Sequence, residues 1–468
     1  MSLGTTRARF ALCAFLFVLT ACGGSHASSQ IIPSTTMLAQ DAPAPIAAPQ
    51  ASVSLATSTT STNSVGLFQV FDEFGSNIIS TTTASTDGSR YAAVWGARPG
   101  MPAPWRTNNS GLAATYYLPE ETDASPGAWG DIGHPLSWWK ANHPDWVLYA
   151  CTASGAPTTT PAYVSELPEN VPLDIHNPAV VAYQMKLAAT YAHASGYTGL
   201  AIDEVLFENI DGTGVSSTDY GCGIYEGNTF VRRYSGRNDP AWNTDTVAWV
   251  KAARSILKTD PVIGPYNLKL IVNHPAYSVT TTNEQTVLQN VDAALDEAGF
   301  TVYGGYKSAS NNYVFNSAVA WMKYAQSHGV APLIVDKFDQ STPITALQLE
   351  YSIATYMMGN EGTARLFVGN TNGYGAEQYH SEYATNYGAA CGEMYGGASY
   401  NAANPQIYYR RFANAIVIVN SGSLPRASEL ATLPAGHTYK DLEGRTVTNP
   451  LTVASNDAYV LLTTNGCN

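Results

Sequence analysis

The chain of 468 residues predicts an α/β fold, a TIM (β/α)8 barrel followed by a small antiparallel β-sandwich, and three observations carry that expectation. Short apolar runs of strand character recur eight times between Tyr91 and Gly369. Stretches with apolar residues at helical spacing separate most of them, which is the alternation of βα units wound around a parallel sheet. After Asn404 the helical spacing stops and only short runs broken by turns remain, the pattern of an antiparallel module.

In chain order, residues 1–21 carry Arg7 and Arg9, then the apolar run Phe10 to Leu19, then small residues. That is the layout of a secretory signal, and it is too short to span a membrane. It ends Leu19-Thr20-Ala21-Cys22-Gly23, which resembles the bacterial lipobox and implies cleavage before Cys22 and lipidation of that residue. The expected location is the bacterial cell envelope, with a lipid anchor as the chain's link to the membrane. Residues 22–66 are rich in Ser, Thr, Ala and Pro, with Asp41 as their one acid and no Lys or Arg, and read as a flexible tether.

Residues 67–403 are assigned to the barrel. Its expected strands are Tyr91 to Ala97, Leu112 to Leu118, Trp146 to Cys151, Gly199 to Val205, Leu268 to Asn273, Val291 to Glu297, Pro332 to Asp336 and Arg365 to Gly369. Helical spacing covers Pro178 to Ala194, Thr244 to Lys258, Asn316 to His328 and Ile344 to Met357. Residues 404–468 hold the β-sandwich, with strands in Gln406 to Asn420, His437 to Asp441, Arg445 to Val447 and Ala458 to Leu462.

Composition removes several functions. Charged residues make up 13% of the chain and the net charge is -13, so nucleic acid is not an expected partner, because phosphate binding needs clustered Lys and Arg. Tyr occurs 29 times and Trp nine times, and such rings either fill a core or stack on sugars. Cys13 leaves with the signal and Cys22 takes lipid. Cys151, Cys222, Cys391 and Cys467 then predict two disulfides in an oxidising compartment, with three pairings open. There is no CxxC, HExxH, P-loop or nucleophile-elbow serine, and His134 and His143 lack metal-ligand spacing, so neither metal nor cofactor is expected. Gly221 to Gly227 has the wrong spacing for a dinucleotide loop and is expected as a disulfide-pinned loop over the barrel mouth.

Barrel enzymes work at the C-terminal ends of their strands. Three runs end there in titratable groups: Gly199 to Asp203 and Glu204, Val291 to Asp296 and Glu297, and Leu333 to Asp336 and Lys337. Two carboxylates facing each other across the mouth are what glycosidic hydrolysis requires. Strand parity lets only one of Asp203 and Glu204, and one of Asp296 and Glu297, point inward.

The segments Trp146-Val-Leu-Tyr149, Val171-Pro-Leu-Asp174-Ile-His-Asn-Pro178, Gly196-Tyr-Thr-Gly-Leu-Ala-Ile-Asp203 and Asp292-Ala-Ala-Leu-Asp-Glu297 resemble the endo-α-1,4-polygalactosaminidase-like glycoside hydrolases and their bacterial relatives. The resemblance covers about residues 90 to 370, and the tail from Tyr409 to Arg445 is similar to the β-domain that closes many such enzymes. It implies a catalytic pair, Asp203 and Glu297, with Asp203 as nucleophile and Glu297 as acid/base. Relatives often place Asn after the first acid, where this chain has Glu204. Glu204, Asp174, Asn273, His274 and Asp336 are supporting candidates for contact with the sugar, and Trp95, Tyr149 and Tyr303 are candidate stacking rings. The expected partner is a polysaccharide or oligosaccharide, an amino-sugar polymer among the candidates, acted on by a monomer. The rival reading is a binding protein that keeps the groove without the chemistry.

Overall fold

The computed structural model describes residues 63–467, except 75–76, 125–131, 166, 277, 302–311, 339–342, 371–373, 375–378, 398–405 and 422–428. The expected signal segment, Cys22, the tether up to residue 62 and the candidate Tyr303 lie outside the described residues.

Eight parallel strands close a barrel: β1 (Leu67–Val70), β2 (Tyr91–Trp95), β3 (Ala113–Pro119), β4 (Gly199–Asp203), β5 (Lys269–Asn273), β6 (Ala293–Asp296), β7 (Ala331–Phe338) and β8 (Arg365–Asn370). Each pairs with its neighbour in chain order, and Leu67 on β1 pairs with Leu366 on β8 to shut the ring. The barrel stands, but its membership differs from expectation in one place. Leu67–Val70 supplies the first strand, and Trp146 to Cys151 supplies none. Only Tyr149–Cys151 of that run is strand, paired antiparallel with Tyr220–Glu226 and Pro157–Pro161. An apolar run announces a strand without naming its partner, so the two strands could not be told apart by pattern.

Helices return the chain along the outside, from Thr81–Asp87 and Pro102–Arg106 through Pro178–Ala194, Pro240–Thr259, Thr282–Gln289 and Asn312–Ser327 to Ala346–Gly359. Their starts are written locally. Asn177 and Asp239 cap the helices that begin at Pro178 and Pro240, accepting from the amides of Ala179 and Ala241. Thr345 and Gln348 form a reciprocal capping box on the last helix.

Two long excursions leave the C-terminal ends of the strands, after β3 and after β4. They meet in the four-stranded sheet that contains Tyr149–Cys151 and Tyr220–Glu226, and a Cys151–Cys222 disulfide joins them. Tyr220–Glu226 is thus a strand and not the loop expected over residues 221–227. The second disulfide links Cys391 to Cys467.

The C-terminal module is a six-stranded sheet built on Ile407–Phe412, Ala415–Asn420 and Asp457–Leu462. One face lies on the helix Ala346–Gly359, where Glu350 accepts from the amide of Val460 at 2.9 Å, and the other buries Ile416, Ile418 and Leu461 under the ribbon Glu429–Ala431 and Leu451–Val453. No helix among the described residues is long and apolar enough to cross a membrane.

Candidate active site

The barrel interior is filled by side chains that include Ala201, Ile271, Leu295 and Val335. Two residues further along each chain, on the same inward face, stand Asp203, Asn273, Glu297 and Lys337. Four polar groups thereby emerge together where the apolar filling ends. Tyr117, near the end of β3, joins them.

One amide ties the acids together. Asn273 Nδ2 donates to Asp203 Oδ1 at 2.7 Å and to Glu297 Oε2 at 3.0 Å. Tyr117 donates its hydroxyl to Asp203 Oδ2 at 2.6 Å, and the amide of Glu204 donates to Asp203 Oδ1 at 3.0 Å. Glu297 Oε1 accepts from Lys337 Nζ and from the Tyr374 hydroxyl, each at 2.9 Å. The Glu204 amide turns back onto Asp203 because Glu204 sits at φ 62°, a left-handed conformation that non-glycine residues rarely hold outside functional turns.

The two carboxyls are held in unlike environments. Burial, and then the charge of Glu297, push Asp203 above the ordinary Asp range against the donors around it. Burial also acts to raise Glu297, but Lys337, Tyr374 and Asn273 outweigh it and hold that carboxyl below its usual value. Lys337 is itself lowered by burial, although Glu297 opposes the shift. The Glu297 side chain keeps 29% of its surface accessible and Lys337 only 4%, so a ligand can reach the acid and not the base. Tyr117 is pushed well up by burial and by Asp203, which keeps it a proton donor.

Asp203, Glu297 and Asn273 meet in one site, and Glu204 flanks it. The other candidates lie elsewhere. Trp95 is 2% exposed and fills the barrel interior. Tyr149 packs in the satellite core of the four-stranded sheet, edge-on to Tyr225 at 5.0 Å. Asp174 is fully buried in an ion pair with Arg233 at 3.0 Å. His274 is fully buried behind the site, its Nδ1 2.6 Å from the Val205 carbonyl and its Nε2 2.8 Å from Glu284. Asp336 is also fully buried and accepts from the amide of Phe300 at 2.6 Å, pinning the turn that follows Glu297. Parity explains Asp336 and Lys337: β7 runs on to Phe338, so Val335 fixes Lys337, not Asp336, as the inward residue.

Tyr117 and Tyr374 were not anticipated, and Lys337 was noted at the end of its strand but given no role in the site. Parity along β3 would have found Tyr117, and parity along β7 would have pointed Lys337 inward. Tyr374 lies beyond β8 in a stretch with no periodicity to read. Next to the site, burial first and then neighbouring acids, Asp211 and Asp245 for Glu120 and Glu204, Asp211 and Glu120 for Glu121, raise both well above their ordinary range, and burial does the same to Asp211. Among the described residues no group of three or more His, Cys, Asp or Glu is arranged to hold a metal ion.

No protein-family model matches the chain, and no curated protein matches it. Solved structures similar to it include a maltogenic α-amylase from Thermotoga neapolitana, 12% identical with TM-score 0.41, over 85% of this chain and 98% of that one. Ega3 from Aspergillus fumigatus in complex with galactosamine is 12% identical with TM-score 0.38, over 69% of this chain and 99% of that one. A GH36 α-galactosidase from Geobacillus stearothermophilus is 11% identical with TM-score 0.40, over 86% of this chain and 56% of that one. These likenesses are distant in sequence and in shape, and residue roles rest on the geometry above.

Proposed function

We propose that the protein is a glycoside hydrolase of retaining stereochemistry in which Asp203 and Glu297 are the two working carboxyls. The observation that carries this reading is the Asn273 amide shared by both acids. Since that nitrogen lies 2.7 Å from one oxygen and 3.0 Å from the other, the two oxygens are at most about 5.7 Å apart. Retaining enzymes hold their carboxyls about 5–5.5 Å apart and inverting ones about 6.5–9.5 Å; the bound concerns one oxygen of each acid, puts both acids within reach of one glycosidic bond, and makes the retaining geometry the one proposed.

The division of roles follows the sequence resemblance, and charge balance in the intermediate is compatible with it. Asp203 is held by neutral donors alone, so converting it to an ester strands no buried charge. In the intermediate an ester on Asp203 leaves the Lys337–Glu297 ion pair intact, whereas an ester on Glu297 would leave Lys337 beside a neutral group; the Asp203 route meets that same cost earlier, when Glu297 carries its proton. In the first step an Asp203 oxygen attacks the anomeric carbon, the glycosidic C–O bond breaks, and Glu297 gives its proton to the leaving oxygen. Lys337 stabilises the carboxylate formed as that proton departs. In the second step a water gives its proton to Glu297 and its hydroxyl to the anomeric carbon, releasing Asp203 as carboxylate. The free protein holds Glu297 ionised, so before the first step Glu297 must take a proton from solvent, with the entering glycosidic oxygen loosening the Lys337 contact, while Asp203 gives up any proton of its own to serve as nucleophile.

The binding-only reading would be favoured by acids that point apart, and here both bond to one amide. An amino-sugar exopolysaccharide is the substrate class suggested by the sequence resemblance. The test is reducing-end release from a polysaccharide panel that includes galactosaminogalactan, followed by NMR of the first product anomer. Release with retained configuration is expected; an inverted first product, or binding without release, would overturn the reading.

A further inference from the structure

The wall beside the carboxyl pair is aromatic, and part of it is held in strain. Phe71 leaves β1 at φ 48°, a left-handed conformation that is an outlier for a bulky residue. Its amide donates to the Trp95 carbonyl at 2.7 Å. Its ring occupies space that a Cβ on residue 96 would enter to within 2.5 Å, so a glycine there, itself at φ 68°, makes the seat. Held in this way, the Phe71 ring meets Tyr117 edge-on at 5.6 Å and Tyr374 edge-on at 5.8 Å. Those are the two phenols that donate to Asp203 and to Glu297.

Phe74 stacks on the other side of Phe71, with ring centroids 6.1 Å apart and planes 19° from parallel, and touches Tyr374 edge-on at 5.4 Å. It is nevertheless 36% exposed. Singly exposed apolar side chains are ordinary on a protein surface, and this ring is distinguished by its place: it stands one contact away from a side chain bonded to Glu297, where a ligand held at the carboxyl pair would meet it. The C–H faces of pyranose rings suit the negative face of an aromatic ring, while their hydroxyls stay in contact with water and with the polar groups alongside.

We infer that Phe74, backed by Phe71 and flanked by Tyr374, is the stacking face of a sugar subsite adjoining the Asp203–Glu297 pair. This rests on the hydrolase reading for its ligand class. The strained Phe71 is the support that sets the platform's height against the two tyrosines.

The test uses Asp203→Asn as the parent, so that ligands are not consumed, and measures calorimetric binding of hexasaccharides of α-1,4-galactosamine, maltose-type, cellulose-type and chitin-type chains. Phe74→Ala added to that parent should weaken binding of the best hexasaccharide roughly tenfold, and Phe74→Tyr should restore it. Phe74 is exposed, so neither change threatens the fold. Equal affinity in the Phe74→Ala protein would overturn the platform, as would a parent that binds none of the four. A parent that binds, and loses binding with Phe74→Ala, while the native chain hydrolyses nothing, would sustain the platform and refute the hydrolase.

Discussion

Lys337 governs how the two acids share charge. It is buried beneath Glu297 at 2.9 Å with its ring-facing side over Tyr374 at 4.8 Å, so its ammonium acts on the site without being available to a ligand. Because Lys337 lowers Glu297, removing the cation must raise that carboxyl, and an acid of higher pKa keeps its proton to higher pH. Lys337→Gln is therefore expected to move the basic limb of the pH–rate profile upward by about one unit or more while lowering the peak rate; a limb that stays in place would show that Glu297 is not the acid. The roles themselves can be separated by trapping. An activated 2-fluoro glycoside should leave its sugar on Asp203 in the peptide map, and a label on Glu297 would mean that the resting charge distribution, not charge balance in the intermediate, sets the roles.

At the scale of elements the turns beside the carboxyl pair are braced by backbone geometry. Gly299, two residues after Glu297, adopts φ 47°, and a Cβ there would lie 2.2 Å from the Val335 carbonyl oxygen. Gly299→Ala should cost about 1–3 kcal/mol and lower hydrolysis together with the melting temperature, read by calorimetry beside activity; unchanged values would show that the turn has another conformation available. Period two also explains what the sequence disclosed. Asp203, Asn273 and Glu297 each close or follow an apolar run whose inward residue sits two positions earlier, so they were legible. Lys337 was noted but passed over for Asp336, because the run Pro332 to Asp336 was ended two residues too soon to show which of the two faces inward. Phe71, Phe74 and Tyr374 lie in turns, where no spacing betrays direction. Leu67–Val70 was hidden by the tether-like composition before it, and Tyr149–Cys151 was misplaced because pattern does not distinguish a parallel neighbour from an antiparallel one.

At the scale of the whole molecule the fold shelters many acids. Burial raises Asp72 and Asp123 to about 6 and Glu350 to about 7, and lifts Glu120, Glu121 and Asp211 further. An acid that holds its proton more tightly folded than unfolded contributes stability in full below its ordinary range near 4, and that contribution is lost as pH rises through the folded value. Asp239, Asp441 and Glu297 are shifted the other way, but their linkage lies below pH 5; within the window the opposing groups are His134 and His380, which burial lowers. The melting temperature should consequently fall between pH 5 and pH 8; a rise across that window would show that these acids are paired or hydrated in solution. The two carboxyls are tested most directly by the rate of reducing-end release by the native chain beside Asp203→Asn and Glu297→Gln, each confirmed folded by circular dichroism. Loss of about a hundredfold or more in both variants is the expected result. Activity that persists in either would contradict the assignment of the site.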